Sequence, residues 1–349
     1  MSSTQSHNRL YYSDNVSVLE ALLEEPSVMG QVRLVYIDPP FGTGQILTTS
    51  HGRNATVSRA NNGHIAYSDQ LIGQLYLNFL RPRLELLREL LADDGSIYVH
   101  SNVQMEHHIR LLMDEVFGAQ NCRGVITRIK CHAKNFERRG YGNVKDAVLF
   151  YSKSKRFVWN QARVSFTEDD IRRLFPKRDA TGRRYTTTPL HGPGETKNGP
   201  TGREWKGLRP PKGRHWRSTP DILDNLDRSG LIEWSSTGNP RKKSYADEAE
   251  KIGKLLQDIW KFKDPKYPQY PTEKNLNMLK VIVGASSNLG DLVLDAFCGS
   301  GTTLVAAQQL GRRWIGIDDS EVAIGVAKER LADLEGREAS AAPTFSLIT

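Results

Sequence analysis

The chain of 349 residues has few cysteines and no long apolar run. Its three cysteines, Cys122, Cys131 and Cys298, cannot build the disulfide framework of a small secreted domain, so the composition suits a reducing cytosol. The sequence does not start with a basic segment followed by an apolar core, and no apolar stretch is long enough to cross a bilayer. These absences argue against secretion and membrane spanning, and we expect a cytoplasmic protein without a membrane partner.

The sequence also lacks a metal motif. Cys122, Cys131 and His132 do not have zinc-finger spacing, and the adjacent His107 and His108 would point in different directions on a helix. Packed or solvated histidines are the commoner outcome for such residues. We therefore expect no metal site.

Positive charge is concentrated in one part of the chain. Residues 121–270 contain 33 Lys+Arg and 17 Asp+Glu, a net charge of +16, whereas the other residues contain 15 and 23, a net charge of −8. A basic block of this size is typical of a protein that meets a polyanion, because phosphate neutralisation supplies most non-specific affinity for nucleic acid. On charge alone, a solvated basic face with no partner is the alternative.

Short apolar runs alternate with helical periodicities over most of the chain. The runs that predict strands are Leu10–Tyr12, Val32–Ile37, Ser96–His100, Val125–Ile129, Ala147–Tyr151, Leu292–Phe297 and Trp314–Ile317. The periodicities that predict helices are Val16–Leu23, Leu75–Leu91, His108–Val116, Leu276–Val283, Thr303–Leu310 and Val322–Leu334. Buried strands that alternate with helices predict an α/β fold with a doubly wound, mostly parallel sheet and helices on both faces.

The segment from about Arg156 to Trp260 interrupts this alternation. It is rich in Gly, Pro, Arg and Lys, with turn pairs such as Gly192-Pro193. It holds five of the six tryptophans, which a disordered basic tail rarely does. We therefore predict an inserted basic module at 156–262, between the two halves of the α/β domain at 1–155 and 263–335, with a tail at 336–349.

A second irregular segment is the polar stretch from Gly42 to Ser68. It has no acidic residue and carries Arg53 and Arg59. A loop of this length inside a compact domain is usually functional or mobile. A mobile surface insertion without a function is the competing interpretation.

A glycine-rich turn lies between two predicted strands near the end of the chain. The first strand reaches Asp295, the turn is Cys298-Gly299-Ser300-Gly301, a helix begins at about Thr302, and the second strand ends at Asp318. Glycines let the backbone approach a ligand, and an acid at the end of the second strand can accept both hydroxyls of a ribose. The pattern predicts a nucleoside-binding βαβ unit. Leu304 replaces the third glycine of a dinucleotide fingerprint, which disfavours NAD, and a tight turn without a ligand is the other interpretation.

An anion site is predicted upstream of this turn. Thr272 is placed to cap the helix that begins near Leu276, and Lys274 adds a positive charge where a helix N-terminus already favours anions. A cofactor with a carboxylate at one end and a ribose at the other fits both features. Taken alone, this segment is better explained as an ordinary capped helix.

The tetrapeptide Asp38-Pro39-Pro40-Phe41 follows the predicted strand Val32–Ile37. The strand delivers Asp38 to the carboxyl edge of the sheet, where ligands bind in open α/β folds. The prolines fix two φ angles and remove two N–H donors, and Phe41 adds a flat apolar face. The Asp38 carboxylate and the Pro39 carbonyl can accept both hydrogens of an exocyclic amino group on a flat heterocycle, which leaves the nitrogen lone pair free to attack an activated methyl group. A turn without chemical consequence is the alternative.

The tetrapeptide and the glycine-rich turn together resemble the family of DNA amino-methyltransferases. The matching residues are Asp38–Phe41 and the run Asp295-Ala296-Phe297-Cys298-Gly299-Ser300-Gly301-Thr302-Thr303. The order is similar to the β class of that family, in which the recognition region lies between the two motifs. The resemblance implies a circularly permuted, Rossmann-like methyltransferase sheet and S-adenosylmethionine as the cofactor. It also implies methyl transfer to adenine N6 or cytosine N4 in DNA after the base is flipped out.

The resemblance assigns roles to individual residues. It implies that Asp38, Pro39, Pro40 and Phe41 are catalytic, that Asp318 binds the ribose, that Thr272 and Lys274 face the methionine end, and that Asp14 contacts the cofactor adenine. The other implied cofactor contacts are Asp295, Phe297, Cys298, Gly299, Ser300, Gly301 and Thr302. The run Leu80-Arg81-Pro82-Arg83-Leu84 matches a further landmark of the family. An aspartate at the head of the tetrapeptide resembles adenine-N6 enzymes, whereas cytosine-N4 enzymes usually begin with serine.

Double-stranded DNA is the implied partner, and the basic module is its expected binding surface. Arginine can read guanine edges, while lysine mostly contacts phosphate. The predicted contacts are Arg214, Trp216, Arg217, Arg241, Lys242 and Lys243 in the module, with Arg53 and Arg59 in the polar stretch. For Trp216 and Trp234, a place in the core of the module is favoured over base stacking. The resemblance leaves open a homodimer and a cognate restriction enzyme, and it implies association with the nucleoid.

The hypothesis sets two conditions on the structure. The two motif loops, separated by 295 − 38 = 257 positions, must meet at one edge of the sheet, and Asp38 must not be locked in an internal ion pair. The strand near Leu10 is expected beside the one that ends at Asp318. The alternatives are a catalytically idle DNA-binding subunit of the same fold, and methyl transfer to cytosine N4 or to RNA.

Overall fold

The computed structural model describes residues 8–40, 45–49, 64–69, 71, 73–132, 137, 139–266, 268, 270, 273–334, 336 and 345–349. Four residues with predicted roles, Phe41, Arg53, Arg59 and Thr272, lie outside this set. The chain divides into two compact units, one formed by Met1–Ala162 with Leu256–Thr349 and the other by Arg163–Leu255.

The elements of the described residues alternate as predicted over most of the first unit. In chain order the strands are β1 (Arg9–Tyr12), β2 (Val32–Ile37), β3 (Gln45–Thr49), β4 (His64–Asp69), β5 (Leu91–Ser101), β6 (Cys122–Ile129), β7 (Lys145–Ser152), β8 (Arg163–Val164), β9 (Lys177–Arg178), β10 (Arg184–Pro189), β11 (His191–Pro193), β12 (Arg214–Trp216), β13 (Ile232–Trp234), β14 (Pro240–Tyr245), β15 (Lys254–Leu255), β16 (Ile259–Trp260), β17 (Leu292–Asp295), β18 (Arg313–Asp318) and β19 (Ser346–Ile348). The α-helices are α1 (Asn15–Leu23), α2 (Gln74–Leu90), α3 (Glu106–Met113), α4 (Glu168–Leu174), α5 (Pro220–Arg228), α6 (Ala246–Ile252), α7 (Leu276–Ser286), α8 (Thr302–Gln309) and α9 (Glu321–Leu334). A π-helical turn, Asp114–Gly118, follows α3. No helix within the ranges given above is both long and apolar enough to span a bilayer.

The first unit is built on a sheet with the strand order β16-β6-β7-β5-β2-β17-β18-β1-β19. β7 runs antiparallel to β5 and β6, and the other neighbouring strands are parallel. The predicted doubly wound, mostly parallel sheet is therefore confirmed. Its permuted order is confirmed as well, because β1 pairs with β18 and Tyr12 lies opposite Asp318.

Helices cover both faces of this sheet, and the strand residues alternate between two cores. In β2, Val35 and Ile37 belong to the core formed with α1, α2 and α3, whereas Leu34 and Tyr36 belong to the core formed with α7, α8 and α9. Successive side chains of a strand point to opposite faces, so a strand buried on both sides reads as an unbroken apolar run. The polar residues that follow these runs are left at the edge of the sheet.

Three local expectations need correction. α7 is capped by Asn275, whose side chain accepts from Met278 N at 3.2 Å, so the predicted cap Thr272 was three positions too early. β17 ends at Asp295 rather than Phe297, because Asp295 Oδ1 accepts a hydrogen bond from Phe297 N at 3.0 Å and the chain turns. The polar stretch 42–68, predicted as a loop, contains the antiparallel pair β3 and β4.

The second unit contains antiparallel strand pairs around a small core. β13, β14, β10 and β9 form one sheet in that order, and β11 pairs with β12 and β8 with β15. The core contains Leu190, Trp205, Trp216, Leu223 and Ile232. Large aromatic side chains let so short a segment bury enough apolar area to fold.

The unit is shorter than the predicted module. It begins at residue 163 instead of 156 and ends at residue 255 instead of 262. Two tryptophans that the sequence assigned to the module belong to the first unit. Trp159 stacks on Phe150 with ring centroids 5.7 Å apart, and Trp260 packs in one of the two cores of the large sheet.

Candidate active site

Three neighbouring parallel strands bring the two predicted motifs together. β17 lies between β2 and β18, with Leu294 opposite Val35 of β2. Asp38 follows β2, Asp295 ends β17 and Asp318 ends β18. The three carboxylates therefore reach the same edge of the sheet, which is where open α/β sheets bind ligands.

A pocket opens at this edge and takes its wall from both motifs. The lining residues are Tyr36, Asp38, Pro39, Pro40, Tyr270, Glu273, Lys274, Asp295, Phe297, Cys298, Gly299, Ser300, Thr302, Thr303, Asp318 and Asp319. The condition that the two loops meet is thus satisfied. Gly301, a predicted cofactor contact, is not among the lining residues and is the N-cap of α8.

Gly299 and Gly301 shape the loop between β17 and α8. Both have positive φ, +50° and +73°, and a Cβ on Gly301 would lie 2.9 Å from the Cβ of Ala327. Cys298 N donates to a carbonyl of β18 at 3.0 Å, and Gly299 N donates to Asp318 Oδ2 at 2.7 Å. The Cys298 side chain is buried, and burial raises the pKa of its thiol well above the usual value.

Two further carboxylates line the pocket, Asp295, which is buried, and Asp318, which is half-buried. Burial raises the pKa of Asp318 to about 6 and the pKa of Asp295 to about 7. Asp318 accepts hydrogen bonds from Gly299 N and, at 3.0 Å, from Ser320 N, so it is an oriented acceptor that can bind ribose hydroxyls. Asp295 holds the turn through Phe297 N.

Asp38 forms an ion pair with Lys274 in the wall of the pocket. The pair joins Asp38 Oδ2 to Lys274 Nζ, and the two side chains are 16% and 9% exposed, respectively. Lys274 was expected to face the methionine end of a cofactor, and in the structure its ammonium group is paired with Asp38. Asp38 Oδ1 is buried, and no described residue donates a hydrogen bond to it. The second condition is not met as it was set, because the Asp38 side chain forms this ion pair. Oδ1 is the carboxylate oxygen that lies outside the pair.

Asp14 does not line the pocket. Its carboxylate caps α1 by accepting from Val16 N at 2.9 Å, and it pairs with Arg83 at 3.3 Å. A contact of Asp14 with the cofactor adenine stays a prediction. The next residue, Asn15, donates to Ala296 O at 2.8 Å and accepts from Arg83 Nε at 2.7 Å. The buried pair Asn15 and Arg83 therefore supports the cofactor loop from the β1–α1 turn. The sequence marked Arg83 only through the resemblance and missed Asn15.

A buried chain of hydrogen bonds, which the sequence did not reveal, runs inward from the pocket wall. Tyr36 Oη lies 2.9 Å from His100 Nδ1, and His100 Nε2 lies 3.3 Å from Asp146 Oδ2. Burial acts to raise the pKa of Asp146, but hydrogen bonds from His100 and Lys130 outweigh it and hold that pKa well below its usual range. Burial lowers the pKa of His100, so the neutral ring donates to Asp146 and accepts the Tyr36 hydroxyl. A histidine within a predicted buried strand was the available signal.

The predicted DNA contacts of the second unit do not form one uniform surface. Arg214, Arg217 and Lys242 are exposed. Arg241 is half-buried and donates to β10 through bonds of 2.9 and 2.8 Å, and Lys243 donates to a backbone carbonyl at 3.1 Å. Because side chains alternate along β14, Lys242 points to the opposite face from Arg241 and Lys243.

Trp216 is a core residue of the second unit. Its side chain is 1% exposed, and its Nε1 donates to Arg203 O at 2.9 Å. The prediction of Trp216 as a DNA contact is therefore wrong, and the structural role favoured for it is confirmed. Trp234 stacks on Trp205 with ring centroids 5.8 Å apart but keeps an exposed face.

The fold and the site define a class of enzyme. A pocket with a nucleoside-type glycine loop lies at the carboxyl edge of a mostly parallel sheet, beside an acid followed by two prolines. Such a site can transfer a group from a nucleoside cofactor to an amino group. Within the ranges that the structure describes, no group of three or more candidate ligands is arranged to hold a metal ion.

Comparison with known proteins gives the family. The model of a family described as DNA methylase matches residues 32–329. The type II methyltransferase M.EcaI of Enterobacter cloacae is 44% identical over 331 residues, which cover 93% of this chain and 69% of that protein. The chain therefore belongs to the DNA methylase family, whose members methylate N6 or N4 amino groups, and it is a DNA methyltransferase.

Two more distant proteins also match the chain. The StyLTI Mod subunit, from a type III restriction-modification enzyme of Salmonella typhimurium, is 25% identical over 339 residues, and the match covers 87% of this chain and 50% of that subunit. The crystal structure of TTHA0409 from Thermus thermophilus in complex with S-adenosyl-L-methionine has a TM-score of 0.50 at 16% identity and covers 98% of this chain and all of that one. The second comparison shows the shared fold.

S-adenosylmethionine is the cofactor of this family, and the groups of the pocket fit it. Asp318 offers a half-buried carboxylate, oriented by Gly299 N and Ser320 N, for ribose hydroxyls. Tyr270 and Phe297 add aromatic faces beside the glycine loop. When bound, the cofactor supplies a methyl group activated by a sulfonium.

Proposed function

We propose that this protein transfers a methyl group from S-adenosylmethionine to N6 of an adenine in double-stranded DNA. The observation that carries the proposal is Asp38 Oδ1, a buried acceptor without a hydrogen-bond donor among the described residues, in the same pocket as the cofactor loop. An exocyclic amino group donates two hydrogens, so it can satisfy this oxygen and the Pro39 carbonyl together.

Asp38 and Pro39 act on the amino group. By accepting its two hydrogens they favour a pyramidal nitrogen with a free lone pair, and they set negative charge where positive charge develops. The ion pair with Lys274 holds Asp38 Oδ2, and this fixes the direction in which Oδ1 points. Once the nitrogen carries the methyl group it becomes acidic, and Asp38 is placed to accept the proton that leaves. Phe41, outside the described residues, is the proposed stacking face for the base.

Cytosine N4 is the competing acceptor, because its amino group offers the same two hydrogens. Asp38 at the head of the tetrapeptide supports adenine, since the resemblance associates serine with cytosine. The complete tetrapeptide and cofactor loop argue against an idle DNA-binding subunit.

The second unit is the proposed site of DNA recognition. Its exposed Arg214, Arg217 and Lys242 can neutralise phosphates, and exposed cations of this kind supply most sequence-independent affinity. Relatives named as type II methyltransferases and type III modification subunits support a role in restriction-modification. The proposal includes a cognate restriction enzyme, a homodimer and a cytoplasmic location on nucleoid DNA.

The test is to incubate the protein with S-adenosylmethionine labelled in its methyl group and with duplex DNA of mixed sequence, and then to digest the DNA to nucleosides. We expect the label in N6-methyl-2′-deoxyadenosine. Label in N4-methyl-2′-deoxycytidine, or label only when RNA replaces DNA, would refute the assigned acceptor.

The variant Asp38→Asn keeps the shape of the side chain and removes its charge. We expect methyl transfer to fall by at least about 100-fold, in the range seen when one preorganised electrostatic contact is lost, while cofactor affinity stays within about twofold. Asp319→Asn is the matched control, because Asp319 also lines the pocket but lies outside the tetrapeptide. A normal rate for Asp38→Asn would contradict the role of Asp38.

A further inference from the structure

Arg330 on α9 joins two walls of the pocket from behind. Its Nη1 donates to Ser300 O at 3.0 Å, to Ser300 Oγ at 2.9 Å and to Thr302 Oγ1 at 3.0 Å. Its Nη2 forms an ion pair of 3.2 Å with Glu273 Oε1, and both side chains of this pair are 11% exposed. Ser300, Thr302 and Glu273 line the pocket, whereas Arg330 is not part of its lining.

These contacts tie the glycine loop to the segment that carries Lys274. Ser300 precedes Gly301, the left-handed residue from which α8 begins, so its carbonyl is at the point where the loop turns into the helix. Glu273 is the neighbour of Lys274 in the chain. The guanidinium group therefore sets the spacing between the glycine loop and the segment that carries Glu273 and Lys274.

The positive charge of Arg330 contributes to this arrangement as well as its hydrogen bonds. Arg330 pairs with Glu273, whose side chain is only 11% exposed, and a carboxylate so placed is costly without the cation that the fold sets beside it. Lysine cannot replace arginine here, because one ammonium group does not reproduce a planar fork that serves four acceptors.

We propose that Arg330 is a positioning residue of the cofactor pocket and sets the affinity for S-adenosylmethionine, not the rate of methyl transfer. The inference rests on the proposed function only in taking S-adenosylmethionine as the ligand. Arg330 neither lines the pocket nor contacts Asp38. Its loss should therefore deform the cofactor site and leave the Asp38 carboxylate and the Pro39 carbonyl in place.

The test compares Arg330→Gln and Arg330→Lys with Lys328→Gln, an exposed cation of the same helix that serves as the control for lost charge. Affinity for S-adenosylmethionine is measured by calorimetry, and single-turnover methylation is measured at saturating cofactor. We expect Arg330→Gln to weaken binding by about tenfold or more and Arg330→Lys by about threefold or more, with Lys328→Gln unchanged. The single-turnover rate at saturation should stay within about threefold of wild type for each folded variant.

Binding by Arg330→Lys within about twofold of wild type would overturn the proposal, as would a single-turnover rate that collapses at saturating cofactor. The lysine variant keeps the charge, so it decides the question even if the glutamine variant does not fold. If the wild-type protein binds S-adenosylmethionine but does not methylate adenine, the proposed function fails, and the affinities alone still decide the role of Arg330.

Discussion

Replacing Asp295 by Asn should stabilise the protein at pH 8, because this buried carboxylate is costly when it is ionised. Burial raises the pKa of Asp295 from an ordinary value of 3.8 to about 7. The folded protein therefore binds this proton more tightly than the unfolded chain does. The associated stability is fully present below pH 3.8 and is lost as the pH rises through about 7.

The size of the effect follows from the shift in pKa. Three pKa units at about 1.4 kcal/mol each correspond to roughly 4 kcal/mol in the free energy of unfolding at pH 8, and about one third of that amount is already lost at pH 5. The amide of Asn keeps the acceptor for Phe297 N, so the expected net gain at pH 8 is about 2 kcal/mol, or a rise in Tm of roughly 3 °C for a chain of this length.

The assay is thermal unfolding of the cofactor-free protein between pH 5 and pH 8, followed by circular dichroism. Asp333→Asn, which removes an exposed carboxylate on α9, is the control for simple loss of charge. The advantage of Asp295→Asn over wild type should grow with pH. An advantage that is the same at pH 5 and pH 8, or that is absent at both, would refute the argument that burial governs this carboxyl group.

Two further predictions concern a buried histidine and the face of the second unit. His100→Leu should lower the free energy of unfolding by about 2–4 kcal/mol at pH 7, because the ionised Asp146 loses its ring N–H donor. Since burial lowers the pKa of His100, wild-type stability should also fall as the pH drops below 6.5, and the variant should lack that part of the acid dependence in urea titrations. Lys242→Ala should reduce the slope of log K for duplex binding against log salt concentration by about one, without a change in Tm. Arg241→Ala should also lower Tm, because Arg241 is hydrogen-bonded to Thr187. Equal slopes for wild type and Lys242→Ala would exclude this lysine from the DNA surface.

The sequence predicted the large sheet well because both faces of that sheet are covered. Val32–Ile37 is one apolar run, and the structure makes it a strand with the same bounds. The parallel pairing of β2, β17 and β18 then brings Asp38, Asp295 and Asp318 to one edge. The apolar pattern of each strand, together with the right-handed connections of parallel strands, is therefore enough to predict this part of the site.

The remaining parts depend on contacts between residues far apart in the chain. No local pattern distinguishes Arg330 from other helical arginines, and its role appears only where α9 packs behind Ser300. The pair Asp38 and Lys274 likewise joins two loops that approach each other only in the folded chain. The cap of α7 was missed for another reason, since Thr272 and Asn275 are both good caps and the helix start decides between them.

Tryptophan gave the least certain prediction in the second unit. A large aromatic ring suits both a small core and a stacked base, so composition cannot separate Trp216 from an exposed aromatic. The neighbours decide the matter, because Trp216 packs with Leu190 and Leu223 inside the unit.

The thiol of Cys298 lies in the glycine loop, and burial keeps it protonated by raising its pKa. A protonated, enclosed thiol is a poor nucleophile, so electrophiles and mild oxidants should modify the half-buried Cys122 and Cys131 first. Alkylation of Cys298 would therefore identify the molecules in which the glycine loop had opened while the electrophile was present. The rate of Cys298 alkylation therefore measures how often the glycine loop opens locally.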